Sequence, residues 1–200
     1  ERYPDEPYRQ KLRLMRERLR RVVDVRPHGY EAPGGLIADL ELLDASLRAN
    51  DAAIVADVHI KPLLRQVDTF GFILASLDLR DHRENHTATI TALLAAVGVD
   101  YAAMDEAARV EFLTEAIAQD APVVDLTATD GLDALPQRVC ARFTAFAGWQ
   151  QEYGVQAIDT YCISMTEAAS HVLEVAFLAD QAGVVDLPDH AGVDIVPLLE

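Results

Sequence analysis

LLRQVDTFGFILASLDLRDHRENHT, residues 63–87, is the stretch whose reading decides the fold. It divides into the end of a short helix, a tight turn at Gly71, and a run in which Phe72, Ile73, Leu74, Ala75, Leu77 and Leu79 are apolar on both faces. Such a run suits a strand covered on both sides, as in a parallel sheet with helices outside, so a buried strand is predicted over 72–79. The run breaks into polar residues at Arg80. An arginine just past the C-terminal end of a strand stands where α/β barrels and open α/β sheets place their ligands. Its permanently charged fork matches phosphate and carboxylate oxygens, so Arg80 is predicted as an anion clamp. The competing duty is structural, an ion pair with Asp78 or Asp81.

Working outward, two more short apolar runs, 157–163 and 193–199, end in polar residues at Ser164 and Glu200. Helical spacing fills most of what separates the three. Tyr8, Leu12, Met15, Leu19 and Val22 recur at intervals of four and three, an amphipathic helix with an arginine-rich outer face. Leu36, Leu40, Leu43 and Leu47 predict a second helix, and Pro62 opens a third. Further helices are predicted through Ile90 to a stop at Gly98, from about Asp105, through Leu132 to near Gly154, and from an N-cap at Thr166 to a stop at Gly183. Strands alternating with helices predict parallel βα units. The expected class is therefore α/β but predominantly helical: a partial (β/α)8 TIM-type barrel with three short parallel strands, residues 1–62 mainly helical and 63–200 carrying the βα units. Three strands cannot close a barrel that needs eight.

Composition narrows the partners. Half the 200 residues are hydrophobic, yet no uncharged apolar run approaches the roughly 20 residues that cross a bilayer. The net charge of −16 is uneven: residues 1–26 hold nine Arg/Lys against five Asp/Glu, a net of +4, which leaves −20 for the rest. So acidic a body repels phosphate, which argues against nucleic acid as a partner. The basic outer face of the first helix reads as a solvated surface with ion pairs to the acidic body. Cys140 and Cys162 lack metal-like spacing and read as reduced core residues of a cytoplasmic protein. Without an initiator Met or signal peptide, and ending directly after a strand-like run, the chain is expected to be a segment of a longer polypeptide.

Other residues with chemical potential are few. His82 and His86 lie four apart, but no glutamate of an HExxH pattern lies between them and no further ligand is near, so local capping is the expected role. Glu200 closes an apolar strand, where a hard divalent cation would want a carboxylate. Met165 and Trp149 read as core. There is no P-loop, no GxGxxG and no GxSxG.

At this point the sequence resembles a known family. The run LLRQVDTFGFILASLDLR with His86 and Thr87 is similar to the phosphoenolpyruvate carboxylase segment LRxVxxFGxxLxxLDIRQESxRHT. EPYR at Glu6 to Arg9, YCISM at Tyr161 to Met165, VLEV at Val172 to Val175 and the terminal VPLLE resemble further blocks in the same order. The resemblance implies a large, mostly helical α/β barrel lyase of carbon dioxide fixation, anaplerotic and cytoplasmic, a homo-oligomer (tetramer) as the full enzyme. It implies addition of bicarbonate to phosphoenolpyruvate, giving oxaloacetate and phosphate, with Mg²⁺ or Mn²⁺. Carried over residue by residue, Arg80 would bind the substrate phosphate and Glu200 would ligate the metal. The family's catalytic histidine, second metal carboxylate and glycine-arginine loop have no counterpart in these residues. The isolated chain is therefore expected to be inactive and to depend on the remainder of its own polypeptide. The motif's Gln-Glu-Ser is Asp81-His82-Arg83 here and its following arginine is Asn85. That altered loop motivates the alternative, a non-catalytic helical interaction or assembly module on the same scaffold.

Overall fold

The computed structural model describes residues 4–119, 121–187 and 190–199. The chain divides into two compact units, Glu1–Ala75 and Ser76–Glu200.

The first unit is helical: α1 (Pro7–Val23), α2 (Pro33–Ala49), the short α3 (Ala53–Val55), a π-helical turn at Ala56–Ile60, and α4 (Lys61–Phe70). Pro7 and Pro33 fall in the first turns of their helices, where a missing N–H costs no hydrogen bond. The leucine spacing of α2 delivers Leu36, Leu40 and Leu43 to one buried stripe, closed by Met15 of α1, Tyr30 and Val67 of α4. Asp39 ties the same helices together. It accepts Lys11 at 2.5 Å, Arg18 at 3.3 Å and the Tyr30 hydroxyl at 2.7 Å, while the Arg18 guanidinium lies 3.9 Å from the centre of the Tyr30 ring. Part of the basic face of α1 is thus spent on ion pairs. Gly71 ends α4 at φ 57°, and an added Cβ would lie 3.0 Å from Pro33 Cγ, so both backbone and space call for glycine.

The second unit holds β1 (Asp78–His82), α5 (Arg83–Ala96), α6 (Glu106–Ile117), α7 (Ala134–Tyr153), β2 (Thr160–Ser164), α8 (Ala169–Gln181), β3 (Val185–Asp186), β4 (His190–Ala191) and β5 (Asp194–Pro197). A three-stranded parallel sheet runs in the order β1-β2-β5, in register along rows such as Leu79–Tyr161–Ile195 and Arg80–Cys162–Val196; β3 and β4 form a small antiparallel pair. Alternate side chains face opposite sides of a sheet. Tyr161 and Ile163 are fully buried, and Leu79 and Ile195 pack against the same core with Ile90, Leu94, Leu113, Val139, Phe143, Phe146, Val175 and Leu178 from the helices. The α/β class, the helical dominance and the three short parallel strands are as expected.

The first strand is not where the apolar run put it. Pairing starts with the Leu77 N–H donating to the Ala157 carbonyl, and β1 covers Asp78–His82 rather than 72–79. Residues 72–77 are turn and irregular chain, with Leu74 86% and Leu77 63% exposed. The physical reason is that one face of β1 alone packs on the core. Leu79 and Asp81 meet the helices, so a strand of polar composition suffices, while the apolar run has no sheet partner. The predicted N-cap also moves. Thr166 donates its hydroxyl to the Ile163 carbonyl and its N–H to Leu198, closing the end of β2, and α8 starts at Ala169 instead. Met165 and Trp149, read as core, are each 37% exposed.

Candidate functional site

Arg80 is the middle residue of β1, exposed, on the face away from the helices. Its side chain shares that face with Asp78 and His82 of β1, and parallel register sets Cys162 and Val196 beside it. The prediction of an arginine beyond the strand end is corrected in that detail: Arg80 lies two residues short of the end. Glu200, the predicted metal ligand, lies outside the described residues. Among the described residues no group of three or more His, Cys, Asp or Glu side chains comes together to hold a metal ion.

The C-terminal end of β1 is tethered by several contacts at Asp81. Asp81, pointing to the helix side, takes a short ion pair from Arg142 of α7, a 2.6 Å hydrogen bond from the Asn85 side chain of α5 and a 2.8 Å bond from the His82 N–H. Its carbonyl accepts Ser164 Oγ of β2 at 3.3 Å. Burial by itself would raise the Asp81 carboxyl, but the Arg142, Asn85 and His82 donors outweigh it and hold it below the usual carboxylate range. His82 then caps α5, its Nδ1 accepting the Glu84 N–H at 3.2 Å. His86, one turn further on, is fully buried, and its Nε2 meets the Tyr161 hydroxyl at 2.8 Å. The two histidines therefore serve different structures and share no metal site. Burial pushes His86 down to about 4 and raises Tyr161 to about 12. The Tyr161 ring stacks on Phe143 at 5.3 Å.

Behind this edge runs a second polar cluster, between α5, α6 and α8. Glu174 is fully buried and, among the described residues, makes no ion pair; Thr87 Oγ1 donates to it at 2.7 Å and the Tyr101 hydroxyl at 3.0 Å. Burial raises its carboxyl despite those donors. Glu106 accepts both the N–H and the hydroxyl of Ser170 at 2.9 and 2.7 Å, and Arg83 pairs with Glu167 at 2.9 Å. These contacts fasten helices and their connecting loops to one another.

Sequence reasoning missed Arg142, Tyr161 and Glu174. A signal for the last two was present, since Tyr161 opens the YCISM block and Glu174 is the acid of VLEV in an otherwise apolar helix face. Arg142 carries no local mark, being 61 residues from its partner.

Comparison with known proteins bears on the whole chain. Residues 1–200 match the family model described as phosphoenolpyruvate carboxylase. Among curated proteins, the chain is 35% identical over 215 residues to a phosphoenolpyruvate carboxylase of Roseiflexus castenholzii, a match covering 100% of the chain and 23% of that protein. It is 36% identical to the one of Chromobacterium violaceum and 38% identical to the one of Mycolicibacterium paratuberculosis, in each case over 98% of the chain and 23% of the relative. The chain thus spans about a quarter of the length of the curated relatives it matches.

Proposed function

This chain belongs to the phosphoenolpyruvate carboxylase family, and from that premise we propose that it is a segment of an enzyme adding bicarbonate to phosphoenolpyruvate. In this reading the three parallel strands are part of a (β/α)8 barrel, their helix-free face turned to its interior. Arg80 binds the substrate phosphate there. A bicarbonate oxygen attacks that phosphorus and the bond from phosphorus to the enol oxygen breaks, giving carboxyphosphate and the enolate of pyruvate; carboxyphosphate splits into phosphate and carbon dioxide, which the enolate carbon adds to give oxaloacetate. A guanidinium on the phosphoryl group offsets that group's charge in phosphoenolpyruvate and, after transfer, in carboxyphosphate. The observation that supports this most is the position of Arg80 on the face of the sheet that the helices leave uncovered.

Mg²⁺ or Mn²⁺ enters the reading only through Glu200, and the described residues supply no ligand set for it. The Arg80 contact stands independently of the cation. The complete enzyme is read as a cytoplasmic homo-oligomer, a tetramer. No helix among the described residues is long and apolar enough to cross a membrane.

Arg80→Ala, made in a full-length carboxylase carrying this chain, is expected to raise the KM for phosphoenolpyruvate at least about tenfold, the scale of a lost charge-assisted contact. An unchanged KM at full rate would count against the assignment. The isolated 200-residue chain is expected to form no oxaloacetate above a buffer control, because Arg80 and Glu200 are only part of a site. The altered residues 81–85 favour a second reading, a non-catalytic assembly module; a full-length protein that is folded yet inactive with phosphoenolpyruvate and bicarbonate would support it.

A further inference from the structure

We propose that Arg142 and Asp81 are positioning residues for the substrate-phosphate arginine, a tether on the far side of β1 that fixes the backbone on which Arg80 rides. The inference rests on the reading of Arg80 given above and adds to it two residues that do not touch substrate. Strand alternation sends Asp81 to the helix side and Arg80 to the open side, so nothing bound at Arg80 meets Arg142 directly.

Several observations converge. Asp81 collects three donors from three separate places: the Arg142 guanidinium on α7, the Asn85 amide on α5 and the backbone of His82. Ser164 of β2 adds a fourth bond to its carbonyl. The ion pair is sheltered, with side-chain exposures of 24% for Arg142 and 12% for Asp81, so solvent screens it less than a surface pair. β1 is only five residues long, so few ladder bonds hold it, and the side-chain tether adds to them at its C-terminal end. The charges also form a substitution of their own. The family motif that this stretch resembles has a neutral glutamine where Asp81 stands and an arginine where Asn85 stands. Here the negative charge sits on the strand and the positive charge arrives from α7, 61 residues away in sequence.

The test uses Arg142→Gln, Arg142→Lys and Asn85→Ala in a full-length carboxylase carrying this chain, with Arg80→Ala alongside. A loosened strand end misplaces the phosphate contact, so Arg142→Gln is expected to raise the KM for phosphoenolpyruvate at least fivefold while kcat stays within twofold. Arg142→Lys, which keeps the charge and one donor, should fall between wild type and Arg142→Gln. Asn85→Ala should raise the KM two- to fivefold, and it carries the test where Arg142→Gln fails to fold. A merely structural pair would reduce the active fraction, lowering kcat and leaving KM alone. That pattern, or an unchanged KM in Arg142→Gln and Asn85→Ala while Arg80→Ala raises it, overturns the tether and leaves the Arg80 assignment standing. An unchanged KM in Arg80→Ala overturns the assignment itself, and the tether with it.

Discussion

Phe143→Ala is expected to destabilise the second unit by about 3–5 kcal/mol, the usual cost of emptying a fully buried aromatic position. Phe143 is 0% exposed, on the face of α7 that also buries Val139, Cys140 and Phe146. Its ring stacks on Tyr161, whose hydroxyl holds His86. Removing the ring thus leaves a void against β2 and takes away the surface that orients the Tyr161–His86 pair. Collapse into the void is hindered because both neighbours are fixed by other contacts. The single tryptophan, Trp149, lies on the same helix, so urea unfolding followed by its fluorescence reports this unit directly. A midpoint shift worth less than about 1 kcal/mol would mean that the site repacks and is not the hub described.

The second large effect is in pH. His86 moves from the ordinary 6.5 to about 4, first because burial penalises its charged form; Arg142, His171 and His82 push the same way and Asp81 opposes them. A folded value below the unfolded one favours the neutral ring, so the stability it contributes is complete above pH 6.5. That stability is lost as pH falls towards 4. The full loss is about 3 kcal/mol at 1.36 kcal/mol per unit, and about 2 of it is gone by pH 5. Glu174 works in the opposite sense. Its carboxyl is raised, so the folded state takes up a proton there first and gains stability as pH falls. The raw profile of the protein therefore mixes the two. The difference between wild type and His86→Gln isolates the imidazole, and it should narrow by about 2 kcal/mol between pH 7.5 and 5. A difference that stays constant across that range would show that His86 is protonated as easily in the folded state as in the unfolded one.

Much of the helical scaffold was legible, because helix signals are local. The three- and four-residue spacing of Tyr8 to Val22 became α1, the leucines from Leu36 to Leu47 became α2, and Asp105 caps α6 by accepting the Ala108 N–H. The second and third strands were found to within a few residues, since Tyr161, Ile163 and Ile195 face the core, although Val196 and Leu199 of the third run are exposed. The first was misplaced because hydrophobicity reports a tendency to be buried, not a hydrogen-bonding partner. The run at 72–76 has the former and lacks the latter, whereas Asp78 to His82 is held by β2, 82 positions away along a row such as Arg80–Cys162. The polar tethers were invisible for the same reason. Asp81–Arg142 and His86–Tyr161 join residues 61 and 75 apart, and no periodicity encodes such a meeting.

The in-step pairing of β1 with β2 has a consequence for how the chain can change in length. Every second residue of β1 belongs to the same side, so adding or deleting one residue between Asp78 and Arg80 would invert the parity of the strand, turning a guanidinium into the oily interior and Leu79 out. The preceding 74–76 stretch obeys no such rule, being exposed chain outside any ladder on its way to Leu77. Natural variants of this chain can gain or lose residues there without disturbing the arginine. Inside the five-residue strand they cannot.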